Sequence, residues 1–136
     1  MKVNPYLMFP GHCEEAFKFY EKVLGGKIEA MMTAEGTPME QHVAPEQRKK
    51  IMHARMTVGG TVLMGSDAPP SQHEPMKGFT VTLNIDEPAE ADRVFQALSD
   101  GAKVTMPIQE TFWARRFGML TDRYGTPWMI NCEKPH

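Results

Sequence analysis

Two residues two apart, His53 and Arg55, offer the most direct chemistry in this sequence. Over 51–58 the residues alternate, with His53, Arg55 and Thr57 on one side and Met52, Ala54, Met56 and Val58 on the other, the period of a strand. On a face lining a hollow, Arg55 would hold an anion and His53 would move a proton near neutral pH. On a solvent face the same pair is merely polar covering. His12, His42 and His73 are scattered at irregular spacing, which suits surface residues better than metal ligands. Of these, His42, next to Glu40 and Gln41, is with His53 the better ligand candidate. Cys13 precedes a helix, where a thiol pKa can fall, but no partner base is evident. Asp67 ends a strand, and turn capping is its expected role.

The elements that must position these groups follow from periodicity and breakers. A strand over 3–9, with Pro5 making an irregular start, is broken by Pro10 and Gly11. A helix follows over 14–24, with Ala16, Phe17, Tyr20, Val23 and Leu24 at helical spacing and Gly25-Gly26 as its stop. Glu14 and Glu15 suit its first turn. Strands are expected over 27–33, 51–58 and 61–65, the last two joined by Gly59-Gly60. The stretch 34–50 reads as a loop with one turn at 46–50. A proline-rich linker at 68–77 precedes a second run of the same order. It comprises a strand over 79–85, then a helix capped by Asp86, with Ala91, Val94, Phe95 and Leu98 buried, ending at Gly101. Strands over 103–108, 112–121 and 127–132 complete it.

Strand, helix and three strands therefore occur twice. Gly26-Lys27-Ile28 is echoed by Ala102-Lys103-Val104, and Gly60-Thr61-Val62-Leu63-Met64 by Gly125-Thr126-Pro127-Trp128-Met129. The spacing between echoes is unequal, and the difference falls at the extra 34–50 loop, as an insertion into one repeat does. Module 1 is expected at about 1–67 and module 2 at about 78–136, together a single domain. The expected fold is α+β, two βαβββ modules forming a curved mixed sheet that encloses a cup.

The residues Asn4-Pro5-Tyr6-Leu7-Met8-Phe9, Gly11, Cys13-Glu14-Glu15-Ala16 and Phe19-Tyr20 resemble the opening of the PhnB-like family. So do Leu63 to Asp67, Phe112-Trp113, Arg116-Phe117-Gly118 and the run from Asp122 to Asn131. That family belongs to the vicinal-oxygen-chelate superfamily, which includes glyoxalases, bleomycin-resistance proteins and extradiol dioxygenases. The resemblance implies paired βαβββ modules, a homodimer and a small-molecule site in the cup. It leaves the reaction open, because the superfamily holds isomerases, dioxygenases, transferases and drug-sequestering proteins. Metal-dependent relatives carry His or Glu on the first and last strand of each module. The matching positions here are Pro5, Met64, Phe79 or Thr80, and Met129. A thioether is a poor ligand for a hard divalent ion, so no metal and no cofactor are expected.

The expected ligand-binding cup is drawn from Tyr6, His53, Arg55, Met64, Trp113, Arg116 and Met129. Trp128 serves a wall or the core equally well, and Arg115-Arg116 could instead pair with Asp122 or Glu110. The expected function is metal-independent binding of a small molecule, with catalysis undecided. The alternative is a metal-dependent lyase, isomerase or dioxygenase using a displaced site. Some family members carry a ubiquinone-methyltransferase label, yet no glycine-rich strand–turn–helix of the nucleotide-binding type is present.

Bulk properties agree. The chain has 136 residues and a formal net charge of −2, with 41% hydrophobic residues. Such a charge carries no basic footprint for nucleic acid. No apolar run suits a membrane span, no signal peptide is expected, and two cysteines suit a reducing cytoplasm.

Overall fold

A computed structural model of the chain describes residues 1–135; His136, the end of the expected second module, lies outside them. The chain divides into two compact units, Met1–Glu74 and Pro75–His136. Each carries one helix and one four-stranded mixed sheet, so the strand–helix–strand–strand–strand order occurs twice. The architecture is α+β, built from two βαβββ modules.

In the first unit, β1 (Tyr6–Phe9) leads to α1 (Cys13–Leu24), then to β2 (Lys27–Thr33), β3 (Ile51–Val58) and β4 (Thr61–Asp67). The sheet order is β1-β4-β3-β2, with β1 parallel to β4 and the other pairs antiparallel. The β1–α1 crossover carries the chain to the far edge at β2, and two antiparallel returns bring β4 back beside β1, running parallel to it. Residues Ala16, Phe17, Tyr20 and Val23 of α1 are buried, as are Leu7, Phe9, Ala54, Met56 and Leu63 of the strands. The other sheet face carries no helix of this unit. Gly25 ends α1 in the left-handed region (φ 71°), its N–H donating to the Glu21 carbonyl at 3.1 Å. The 34–50 loop holds two short 3-10 turns, Glu40–His42 and Pro45–Gln47, where one turn at 46–50 was expected. A register shift between Met32 and Thr33 leaves Met52 without a β2 partner and exposed, although alternation put it with Ala54. An extra residue in one strand inverts the local parity.

The second unit repeats the plan with β5 (Val81–Asn84), α2 (Pro88–Leu98), β6 (Lys103–Gln109), β7 (Ala114–Thr121) and β8 (Pro127–Glu133), in the sheet order β5-β8-β7-β6. The buried stripe of α2 is Ala91, Val94, Phe95 and Leu98. Asp86 does not cap α2. Glu87 holds that position without a side-chain hydrogen bond, and the Asp86 carbonyl accepts from Arg115 and Cys132 instead. The turn before β8 is organised by buried Asp122. Its carboxylate accepts from the backbone N–H groups of Tyr124 (2.8 Å) and Thr126 (3.0 Å) and from Trp128 Nε1 (2.8 Å). Trp128 is thereby a core residue, 1% exposed.

Candidate functional site

Strand alternation sends Leu7, Leu63, Ala54 and Met56 toward α1, so their neighbours project from the opposite face of the first sheet. Register aligns Tyr6 of β1 with Met64 of β4, Met64 with Arg55 of β3, and Arg55 with Ala30 of β2. Tyr6, Met64 and Arg55 therefore form one row across three strands. His53 lies two residues before Arg55, and its ring stacks on Tyr6 with centroids 5.8 Å apart and planes at 28°. Tyr6 Oη and His53 Nδ1 are 3.2 Å apart. When the phenol donates, Nδ1 accepts and the imidazole proton sits on Nε2.

Arg55 is not isolated. Its Nε lies 3.7 Å from Glu29 Oε2, with both side chains over 40% exposed, and the Thr57 hydroxyl donates to Glu29 Oε1 at 3.1 Å. An exposed pair of this kind contributes about 0–1 kcal/mol. A ligand anion can therefore displace the Glu29 carboxylate at small cost. Around these polar groups, Tyr6, Met8 and Met32 are each more than 40% exposed on the same sheet face. The four expected residues of this unit, Tyr6, His53, Arg55 and Met64, are thus brought together.

The expected residues of the second unit part company. Met129 pairs with Thr82 and Met119 on the face away from α2, one register row from Asn131 and Phe117. Trp113, just before β7, packs edge-on against Phe117 at 5.2 Å and against Phe112 at 4.8 Å. Arg116 turns the other way. It is paired in register with buried Cys132, and its Nε donates to Asp92 Oδ1 of α2 at 2.7 Å. Alternation puts Arg116 on the same face as Gly118 and Leu120, opposite to Phe117, and its partner is neither Asp122 nor Glu110. Sequence reasoning missed Glu29, and it missed the amide pair Asn84–Asn131 on the helix-free face of the second sheet.

Other reactive groups are committed to structure. Asp67 accepts from the N–H groups of Gly11 (3.1 Å), Cys13 (2.9 Å) and Ile51 (2.9 Å), tying β1, α1 and β3 to the end of β4. Cys13 is buried, and desolvation pushes its thiol far above the ordinary value, with the Asp67 and Glu14 charges adding to the rise. A protonated, enclosed thiol is no nucleophile. His42 and Lys50 border a cleft of about 940 Å³ beneath the 34–50 loop.

The donor set does not suit a hard divalent ion. Among the described residues no three His, Cys, Asp or Glu side chains cluster in a way that could hold one. At the four positions expected from the family resemblance, Pro5, Met64, Phe79 or Thr80, and Met129, the side chains are a proline ring, two thioethers, and a phenyl or hydroxyl group. The Pro5 carbonyl is taken by Met64 N–H at 3.1 Å. No helix among these residues is long and apolar enough to cross a membrane.

Comparison with known proteins agrees with this architecture. The family described as Glyoxalase/Bleomycin resistance protein/Dioxygenase superfamily matches residues 2–130. Protein YjdN of Escherichia coli K12 is 37% identical, covering 98% of this chain and 97% of its own length. The crystal structure of protein PA1353 from Pseudomonas aeruginosa superposes with a TM-score of 0.90 at 47% identity, covering 99% of both chains. The PhnB protein from Bacillus cereus superposes with a TM-score of 0.80 at 25% identity, over 97% of this chain and 99% of that one. With its duplicated βαβββ modules and a matching profile along nearly its whole length, the chain belongs to the glyoxalase/bleomycin-resistance/dioxygenase superfamily.

Proposed function

We propose that this chain is a small-molecule-binding protein that takes a planar anionic ligand on the helix-free face of the first sheet, without a divalent metal. The observation that carries this reading is the Tyr6–Met64–Arg55 row with His53 stacked on Tyr6. Arg55 supplies the charge, and its planar guanidinium suits a carboxylate. His53 Nε2–H supplies a second donor, directed by the Tyr6 bond. Met8, Met32 and Met64 supply polarisable walls that adapt to the ligand's shape. Arg116 of the second unit, spent on Asp92, takes no part in this site.

The reading includes both modules acting as one functional domain and two copies forming a homodimer. Exposed Phe79, Phe112 and Trp113 support association. Residence in the cytoplasm is supported by two cysteines that are unpaired and buried.

Benzoate is a suitable probe because it is planar, anionic and small. In EDTA, benzoate at ten times its dissociation constant stabilises the folded state by about 1.4 kcal/mol by mass action. The melting temperature is expected to rise accordingly in wild type and not in Arg55→Met. A rise that appears only after a divalent ion is added, and vanishes in His53→Ala or His42→Ala, would overturn this reading in favour of a metal-dependent lyase, isomerase or dioxygenase. No rise at any benzoate concentration would also overturn it.

A further inference from the structure

The second unit holds an amide pair on the helix-free face of its sheet. Asn84 of β5 and Asn131 of β8 are register partners on the face away from α2, and Asn131 Nδ2 donates to Asn84 Oδ1 at 3.1 Å. Asn131 Oδ1 is buried and has no hydrogen-bond partner among the described residues. Exchanging oxygen and nitrogen in both amides keeps the pair and still leaves one Asn131 atom unmet, so the deficit survives either assignment. Buried polar atoms are nearly always satisfied, so this oxygen calls for a partner such as water, an ion or a ligand.

The surroundings narrow what that is. A hollow of about 160 Å³ adjoins the pair, bordered by Arg115, Asp86 and Glu133. The Arg115 guanidinium donates to the carbonyls of Glu133 (3.0 Å) and Asp86 (2.6 Å), so it forms a wall rather than an anion trap. Across the sheet, Phe117 is the register partner of Asn131, and half-exposed Trp113 stands edge-on to it. An amide edge beside aromatic rings suits a flat apolar molecule that carries its own amide.

We propose that Asn131 recognises a small aromatic carboxamide or cyclic amide, which takes the place of the Asn84 side chain. Asn84 is exposed and holds Asn131 by one bond, so its side chain swings out readily. The Asn131 amide then presents an acceptor and a donor side by side. A carboxamide matches both, making two hydrogen bonds where one existed and satisfying the buried oxygen. A carboxylate offers only acceptors and meets that oxygen lone pair to lone pair. The site lies in the second unit and has its own probe, so it can fail while the reading of the first sheet survives, and the reverse.

The test is a titration of the full chain with benzamide, followed by calorimetry and by the Asn side-chain and Trp113 indole resonances. Benzamide is expected to bind saturably, shifting the Asn131 and Trp113 signals, and to bind there at least about tenfold more tightly than isosteric benzoate. Asn84→Ala removes the internal competitor and is expected to tighten benzamide binding severalfold. Asn131→Asp, close in shape but without the donor, is expected to weaken it at least fivefold, and Asn131→Leu to abolish it. The proposal is overturned if benzamide fails to bind both wild type and Asn84→Ala, if Asn131→Asp binds as wild type does, or if benzoate competes equally at the Trp113 signal.

Discussion

In the proposed site, Glu29 competes with a ligand for Arg55, because the two already face each other at 3.7 Å. Removing that charge leaves the guanidinium open to an incoming anion without disturbing the core. Glu29→Gln is therefore expected to tighten benzoate binding about two- to fivefold, as the loss of an exposed competing pair allows; unchanged affinity by calorimetry would separate Arg55 from the site. Cys13 makes a second residue-scale prediction. Its thiol is held protonated in the folded protein by burial and by the nearby Asp67 and Glu14 charges, while the unfolded chain titrates near the ordinary value of 9.0. A raised folded-state pKa gives stability that is complete below that value and drains away as pH climbs above it. Stability measured by denaturant should thus fall above about pH 9 with a component that Cys13→Ala removes. Native Cys13 should also react with a thiol reagent far more slowly than the urea-unfolded chain.

At the scale of elements, close approach between helix and strand is the sharpest constraint. A Cβ built on Gly118 of β7 would lie 2.6 Å from Phe95 Cε2 of α2 and 3.1 Å from the Ile108 backbone. Gly118→Ala should cost about 1–3 kcal/mol in denaturant unfolding. Gly60→Ala, with nothing within 4 Å of the added carbon, should be nearly neutral and serves as its control. The helices and most strands were legible because their apolar periods are clean, and the repeat was legible from echoes such as Gly60-Thr61 and Gly125-Thr126. His53 and Arg55 could be placed on one face because period-2 alternation survives through most of β3, whereas Tyr6 and Met64 came from the family resemblance. Met52 could not be placed that way, since it adjoins a register irregularity that alternation cannot foresee, and Arg116, expected in the cup from the family resemblance, lies on the α2 face. Asp86 looked like a cap, but the helix begins one residue later and its carbonyl serves Arg115. The Asn84–Asn131 pair was illegible because the two residues are 47 positions apart and meet only through parallel β5–β8 pairing.

For the whole molecule, superfamily membership fixes the module plan and leaves the chemistry to individual side chains. Light scattering on the purified chain should give twice the monomer mass if the homodimer reading holds, and Phe112→Glu should shift it toward monomer. The central claim is ligand binding beside Tyr6, His53 and Arg55 without a metal, and methionine methyl groups report on that face directly. In EDTA-treated protein carrying labelled methionine methyls, titration with benzoate should move the Met8, Met32 and Met64 signals along one saturating curve, and Arg55→Met should abolish the response. Signals that stay still, or that move only once a divalent cation is supplied, would contradict the account.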